Sequence, residues 1–552
     1  MTSSAETWTI GGQVIDLEEG VIYAARVTVS GGRIAAIERT DETFATYLSP
    51  GFVDAHVHIE SSLLIPTEFA RLAVCHGSVA TVSDPHEIAN VLGVEGVDFM
   101  IRNGNKSPFK FFFGAPSCVP ATTFETAGAH LGPAEVEALL ARPEILYLSE
   151  MMNFPGVIHG DAEVQAKLAL ARRAGKPVDG HAPGLRGEGL AAYVAAGIRN
   201  DHECFTLAEA EEKIAHGMVI AIREGSAAKN FAALEPLLGK VPEKCLFCTD
   251  DMHLDNLMLG HLNRHCARAV AAGHDPLTVL RVATVQTMEH YGLPVGRLRV
   301  GDPADFIELE DLRDFKVRRT FIDGQLVARD GQTLLPSVEE EPVNHFACAE
   351  VGPEDFVLPA GRGSARVIGV IDHQLVTEDL RLEAKIENGL VLADPDRDIL
   401  KIAVVNRYAP APPAVALIRH FGLREGAIAS SVGHDSHNIT AVGVTDEALA
   451  RAVNAVRETS GGLVAVDGRG QVKCFPLPVA GLMTHREAYG AVAAYQEVEA
   501  MAKAMGCTLT APFMSLSFMA LLVIPSLKLS DKGLFDGDTF CFVPLFEGGA
   551  DS

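Results

Sequence analysis

The sequence predicts an α/β protein organised around a (β/α)₈ barrel, with a small β-sandwich and an additional C-terminal α/β domain. Apolar strand-like runs alternate with helical stretches between residues 51 and 295, and short strands with glycine turns flank this region on both sides. Of the 552 residues, 48% are hydrophobic and 21% are charged, which is an ordinary globular composition. A chain of this length has room for about two to four domains.

The segments before and after the predicted barrel have the same pattern of short strands. Near the start, glycine turns separate three strand-like runs, at 9–15, 24–30 and 33–38. The pattern returns after residue 295, where glycine turns again punctuate short apolar runs. We therefore predict that residues 1–48 and 296–335 are the two parts of one β-sandwich.

The predicted barrel covers residues 49–295. Its eight candidate strands are 51–58, 78–84, 109–114, 144–149, 176–181, 197–202, 217–222 and 244–250. They are nearly continuous apolar runs, as expected of parallel strands that are buried on both faces. Helix-like segments lie between them, and eight strand–helix units in roughly 240 residues match the size of a (β/α)₈ barrel.

A third region follows a linker rich in Glu and Pro, at residues 336–344. The remainder, 345–552, mixes strand-like runs with amphipathic helical stretches such as 446–459 and 485–504. This mixture predicts a separate C-terminal α/β domain.

Charge and cysteine content narrow the classes of partner. The chain has 46 Lys and Arg against 72 Asp and Glu, a formal net charge of −26. A field of this sign repels phosphate backbones and anionic lipids, so we expect neither a nucleic acid nor a membrane partner. A small neutral substrate and a cationic metal suit it better. The ten cysteines lack the spacing of a disulfide framework, which indicates a cytoplasmic location.

Polar residues that can bind metals gather at the ends of the predicted strands. His56 and His58 alternate on the first strand, so both imidazoles point to the same side. Other imidazoles and carboxylates close later strands, at Asp84–Glu87, Glu150, His181, Asp201–Glu203 and Asp250–Asp251. One histidine at a strand end is usually structural. In a barrel, however, all these ends meet at one rim, and their joint occurrence predicts a metal site there.

Several strings then resemble a known family. PGFVDAHVH at 50–58 looks like the opening of the amidohydrolase superfamily, and GDPADF at 301–306 looks like its closing sandwich motif. Three further strings resemble the bacterial adenine deaminases, namely DAHVHIESS at 54–62, SDPHEIAN at 83–90 and GHDSHN at 433–438. The resemblance extends through nearly the whole chain, and relatives acting on N6-substituted adenines would share these strings.

The resemblance implies a binuclear divalent metal centre. His56, His58 and Asp250 would hold the more buried ion, and His181 and His202 would hold the second. Many relatives bridge the ions with a carboxylated lysine on strand 4, and Glu150 is the natural replacement here. Ligands made only of nitrogen and oxygen suit Mn, Fe or Zn.

The resemblance also implies catalytic and substrate-binding roles. Glu150 or Asp251 would carry the proton, and His86 would orient the attacking oxygen. Mononuclear deaminase relatives carry a Glu three residues after the strand-5 histidine, whereas this chain has Gly184 there. The substrate-binding candidates are Asp251, Glu87, His434, Asp435 and His437, the last three on a loop that we expect to reach over the barrel mouth.

The leading functional prediction is hydrolytic deamination of adenine to hypoxanthine and ammonia. The alternatives are a deaminase of N6-substituted adenine, a cyclic-amide hydrolase of the same superfamily, and a non-catalytic metal-binding scaffold. The six ligand-type residues argue against a scaffold. By family resemblance, the C-terminal domain and Glu150 argue against a cyclic-amide hydrolase. The partner would be a purine base, and a homo-oligomer stays open.

Overall fold

A closed barrel of eight parallel strands forms the centre of the computed structural model, which describes residues 7–548. The barrel strands, numbered 1 to 8 here, are Phe52–Val57, Ser78–Ser83, Lys110–Ala115, Ile145–Met151, Val178–Gly180, Asn200–Asp201, Val219–Arg223 and Cys245–Cys248. Each one falls on a predicted apolar run, and the predicted fold class is confirmed. Backbone bridges between Val178 and Ile198 and between Val57 and Asp250 join the two partial sheets into the barrel.

Helices alternate with the barrel strands. Their bounds are Pro66–Ala73, His86–Leu92, Val94–Gly104, Pro133–Leu140, Phe154–His159, Ala162–Ala174, Gly187–Ala195, Leu207–Ala215, Phe231–Leu234, Leu254–Leu259, Leu262–Ala271, Pro276–Ala283 and Val285–Tyr291. Local chemistry sets several of these ends. The Asp161 side chain accepts hydrogen bonds from the backbone N–H groups of Glu163 and Val164, and Gly175 ends that helix with φ 68°.

One eight-stranded sheet combines strands from before and after the barrel. Its strands are Thr7–Asp16, Val21–Ser30, Arg33–Arg39, Tyr47–Pro50, Phe306–Leu309, Val317–Ile322, Gln325–Arg329 and Gln332–Thr333. Tyr47–Pro50 pairs with Phe306–Leu309 and so joins the two segments. Gly32 is required at a turn of this sheet, because its φ is +77° and a Cβ there would lie 2.9 Å from the Asp323 carbonyl oxygen.

A second eight-stranded sheet forms the core of the C-terminal region. Its strands are Ala365–Val370, Thr377–Leu382, Ile399–Val405, Ala414–Arg419, Ala427–Ser430, Ile439–Gly443, Gly462–Val466 and Val472–Pro476. Smaller sheets contain Leu358–Pro359, Lys385–Glu387, Leu390–Leu392, Leu527–Ser530, Gly533–Asp536 and Cys541–Phe542. The helices are Asp446–Glu458, Ala488–Ala504 and Pro512–Ser517. Among residues 7–548, no helix is long and apolar enough to cross a membrane.

The C-terminal region contacts the rim of the barrel directly. The backbone of Leu64, just after barrel strand 1, bridges to Thr484. The Asn438 side chain donates a hydrogen bond of 2.9 Å to the Thr126 carbonyl oxygen, and Lys532 donates to the Glu125 carbonyl oxygen at 3.0 Å. The loop at 433–438 is thereby held against the end of the barrel at which the predicted ligands lie.

Candidate active site

The first group of predicted ligands lies where barrel strands 1 and 8 end. His58 Nε2 lies 3.2 Å from His56 Nε2 and 3.1 Å from Asp250 Oδ1. Asp54 fixes the two strand ends, because its carboxylate accepts hydrogen bonds from the Thr249 backbone N–H at 3.1 Å and the Thr249 hydroxyl at 2.5 Å. Two imidazoles and one carboxylate therefore converge on one point, and all three are buried.

Glu150, at the end of barrel strand 4, joins the first group to a second one. Its Oε1 lies 3.3 Å from His58 Nε2. Its Oε2 lies 2.7 Å from His181 Nδ1 and 3.2 Å from His202 Nε2. One carboxylate thus faces imidazoles of both groups, which is the arrangement expected of a side chain that bridges two cations.

The charges in this cluster suit a cation-binding site. Burial, followed by the nearby His202, lowers the pKa of His56. For His58, His181 and His202 the surrounding carboxylates outweigh burial and raise the pKa. Burial alone would raise the pKa of Glu150, but His181, His202 and His58 hold it well below its ordinary value. Glu150 is therefore an anion among imidazoles, and the donor set of buried nitrogen and oxygen atoms fits divalent transition metals.

His86 and Asp251 lie beside the cluster. His86 Nδ1 is 3.1 Å from Asp84 Oδ2 and 3.4 Å from Glu150 Oε1. The Ser61 hydroxyl donates a hydrogen bond of 2.5 Å to Asp251 Oδ1. Burial and then the adjacent charge of Asp250 raise the pKa of Asp251.

Glu87 forms a second carboxylate–imidazole cluster with the C-terminal loop at 433–438. Its carboxylate contacts His434 Nδ1 and lies 2.5 Å from His437 Nε2. Burial would raise the pKa of Glu87, but these two imidazoles hold it well below its ordinary value. In return, Glu87 outweighs the effect of burial on His434 and raises its pKa to about 9. Asp435 Oδ1 lies 3.8 Å from His86 Nε2 and connects the loop to the rim.

The predicted residues surround one pocket at the barrel rim. All of them line it except His56 and His437, which lie behind His58 and Glu87 respectively. Apolar side chains complete the lining, namely Met152, Leu375, Phe518 and Leu521. The Phe518 ring stacks on the His434 ring at 5.0 Å between centroids. The pocket therefore combines a polar, cation-binding floor with an apolar wall from the C-terminal region.

Two residues of the site received no role in the prediction from sequence. Arg223, at the end of barrel strand 7, contacts both the Glu203 and the Asp250 carboxylates and is 1% exposed. Glu203 Oε1 lies 3.4 Å from His202 Nε2. Their positions in the sequence could have indicated a role, because both residues stand at the ends of barrel strands, as the predicted ligands do. A charged residue that ends an apolar run can equally face solvent, so the sequence did not single out Arg223.

Comparison with known proteins identifies the family. The model of the amidohydrolase family matches residues 47–327, and that of the adenine deaminase C-terminal domain matches residues 374–541. An adenine deaminase from Sulfurovum sp. (strain NBC37-1) is 54% identical over 530 residues, which cover 96% of this chain and 98% of the relative. The chain belongs to the adenine deaminase family. The resemblance inferred from the strings at 54–62, 83–90 and 433–438 is thereby confirmed.

Other adenine deaminases are similar over almost their full length. The relative from Salinibacter ruber is 54% identical over 543 residues, which cover 98% of this chain and 99% of the relative. The relative from Methanosarcina acetivorans is 47% identical over 546 residues, with 97% and 99% covered. The similarity therefore includes the C-terminal region that supplies the loop at 433–438 as well as the barrel.

Proposed function

We propose that this protein hydrolyses adenine to hypoxanthine and ammonia. The observation that carries the proposal is the position of Glu150, which faces imidazoles of two ligand groups beneath a partly apolar pocket. Such a site suits hydrolysis at the polar edge of a flat heterocycle. Membership of the adenine deaminase family supports adenine as that heterocycle, and purine salvage as the context.

The proposed centre holds two divalent cations, of Mn, Fe or Zn. His56, His58 and Asp250 would hold one ion and His181 and His202 the other, with Glu150 between them. When bound, such ions lower the pKa of water and make it an effective nucleophile near neutral pH. Arg223 contacts Asp250 Oδ2, whereas His56 and His58 contact Oδ1, and Arg223 is proposed to fix the carboxylate for this role.

Substrate binding is assigned to the residues around the pocket. Asp251, held by Ser61, faces the space above the ligand cluster. Glu87, His434 and Asp435 also line the pocket and present donors and acceptors to it, and His437 is proposed to act on the substrate through its contact with Glu87. The apolar wall formed by Leu375, Phe518 and Leu521 suits the face of a purine ring.

The reaction requires proton transfer at two atoms of the purine. Oxygen from water forms a bond to C6, the bond from C6 to the exocyclic nitrogen breaks, and ammonia leaves. The protons released by the water must reach a ring nitrogen and the leaving amine. Glu150 or Asp251 is proposed to carry them, since both carboxylates line the pocket. His86, held by Asp84, is proposed to orient the attacking oxygen.

Ammonia release tests this proposal against its alternatives. Purified protein loaded with Mn should release ammonia from adenine and form hypoxanthine, which is detected by its ultraviolet spectrum. Turnover of N6-methyladenine but not of adenine would point to a deaminase of substituted adenines. Hydrolysis of dihydroorotate or imidazolonepropionate would indicate a cyclic-amide hydrolase. Metal binding without turnover of any of these compounds would leave only the scaffold.

We also propose the domain division at residues 1–48, 49–295, 296–335 and 345–552. The strand pairing of Tyr47–Pro50 with Phe306–Leu309 supports the joining of the first and third segments.

All ten cysteines are free thiols, which supports a reducing compartment, and we propose the cytoplasm. Size-exclusion chromatography would test for a homo-oligomer.

A further inference from the structure

A second cavity, of about 720 Å³, lies between the barrel and the C-terminal region. Loops after barrel strands 3 to 6 form one side of it, and residues 523–525 and 537–540 form the other. Most of its lining residues are apolar, and four of them are phenylalanines, namely Phe124, Phe154, Phe205 and Phe540. The charged residues of the lining are Asp161, Glu163, Lys167 and Asp538.

The cavity adjoins the active-site pocket. Met152 lines both spaces. Four chain segments contribute one residue to the pocket and a residue one or two positions later to the cavity, namely His181 and Pro183, Glu203 and Phe205, Leu375 and Val376, and Leu521 and Val523. The cavity is therefore the outward continuation of the pocket along several walls at once, and Met152 stands where the two spaces meet.

Exposure of the lining changes from one end of the cavity to the other. Cys118 and Met152 are each 6% exposed, whereas Phe540 is 47% exposed and Thr123 is also exposed. The cavity therefore has solvent-exposed lining residues and also borders the active-site pocket at Met152. Its aromatic walls suit a flat, uncharged heterocycle, because such a molecule can stack on ring faces without losing the hydration of a charge.

We propose that this cavity is the route by which the purine base enters and leaves the active site, and that Met152 is the gate. The proposal rests on the proposed function. Met152 suits a gate because an unbranched side chain with three rotatable bonds can move aside without a change in the backbone. It also keeps the aromatic cavity separate from the ligand cluster when no base is passing.

The test uses substitutions that narrow the cavity at residues outside the active-site pocket. Val523→Trp adds an indole to the cavity wall formed by the C-terminal region, and Ala121→Trp adds one to the wall formed by the barrel loops. Val194→Trp is the matched control, since Val194 is also half-buried but does not line the cavity. Each variant is compared with the wild type for kcat/KM with adenine, inhibition by hypoxanthine, metal content and thermal midpoint.

A narrowed route slows the association and the dissociation of the base by the same factor. The two rate constants therefore change, but the equilibrium dissociation constant does not. We expect both cavity variants to lower kcat/KM at least about tenfold while the inhibition constant of hypoxanthine stays within about twofold. Val194→Trp should change neither kcat/KM nor the inhibition constant of hypoxanthine. An unchanged kcat/KM in both folded cavity variants would overturn the route. A rise in the inhibition constant that matches the fall in kcat/KM would also overturn it, because the cavity would then be part of the binding site.

Stopped-flow absorbance of hypoxanthine binding separates this proposal from the function on which it rests. Slower association in the cavity variants supports the route even without turnover. If wild-type protein binds hypoxanthine but releases no ammonia from adenine, the proposed function fails and the association rates still decide the route. A protein that neither turns over adenine nor binds hypoxanthine overturns both.

Discussion

Two buried clusters of this protein have the same chemistry but different construction. Glu150 lies between His181 and His202, and Glu87 lies between His434 and His437. In both clusters neighbouring imidazoles hold the pKa of a buried carboxylate well below its ordinary value. The partners of Glu150 all stand on strand ends of the same barrel. The partners of Glu87 come from a loop of the C-terminal region, about 350 residues further along the chain.

The difference in construction indicates a difference in role. Strand ends are held by backbone hydrogen bonds, so ligands placed on them keep the fixed geometry that a metal centre needs. A loop that meets the barrel from another region can adjust as a substrate binds, and it closes the pocket only when the two regions are in contact. We therefore propose metal binding for the Glu150 cluster and substrate binding for the Glu87 cluster.

Removal of metal should have the largest effect, and it should act through the Glu150 cluster. Apo-protein prepared with a chelator should lose essentially all deaminase activity. Stepwise addition of Mn should restore it in proportion to the metal bound, up to two equivalents per chain, because two ligand groups share Glu150. Metal analysis and ammonia release on the same samples provide the measurement. Full activity at one equivalent would contradict the binuclear centre.

The same substitution in both clusters should separate their roles. Glu150→Gln keeps the shape of the side chain but removes its charge and its proton site. We expect kcat to fall by roughly 10²–10⁴-fold, the usual range for loss of general acid–base catalysis, together with reduced metal content. Glu87→Gln is the matched control and should keep both metals. Near-normal turnover and metal content in Glu150→Gln would remove Glu150 from both roles.

Single substitutions in the loop should have a smaller effect. His434→Ala, Asp435→Ala and His437→Ala should leave bound metal unchanged and lower kcat/KM for adenine. Loss of one hydrogen bond costs on the order of 1 kcal/mol, or roughly fivefold in kcat/KM, and a charged partner costs somewhat more. A purely structural loop would instead lower the thermal midpoint and leave the kinetics of the folded fraction normal. Normal kcat/KM in all three variants would exclude the loop from the mechanism.

The smallest expected effect concerns Lys528. Burial dominates the pKa of this side chain, whereas neighbouring imidazoles together outweigh burial in the pKa of Glu150 and Glu87. The ammonium of Lys528 donates hydrogen bonds to the carbonyl oxygens of Leu375, at 2.5 Å, and Phe518, at 3.0 Å, behind the apolar wall of the pocket. Burial lowers the pKa of Lys528 to about 7, whereas in the unfolded chain it is about 10.4. Between these values the unfolded chain holds more protons, so this group makes stability rise with pH, by at most about 1.4 kcal/mol per pH unit.

Lys528→Met removes this titration. We expect the thermal midpoint of the variant to rise less than that of the wild type between pH 7 and about pH 9. The exposed Lys240, replaced in the same way, is the control and should leave the pH profile unchanged. Parallel profiles for Lys528→Met and wild type would show that the lysine does not titrate in this range.

The sequence by itself determined the barrel and the membership of the Glu150 cluster. The eight strands follow from continuous apolar runs, which have few other ways to be buried. Once they form a barrel, geometry brings His56, His58, Glu150, His181, His202 and Asp250 to one rim, wherever they stand in the chain. Their roles as ligands stay predictions that the metal experiments address.

Tertiary structure alone decided which partners those residues meet across the fold. Strand periodicity could not show that Arg223 lies between Glu203 and Asp250, because a charged residue at a strand end faces either solvent or a buried partner. It also could not pair Glu87 with His434 and His437, or form the cavity beside Met152. These features depend on how the C-terminal region packs on the barrel, and no local pattern encodes a contact between segments so far apart in the chain.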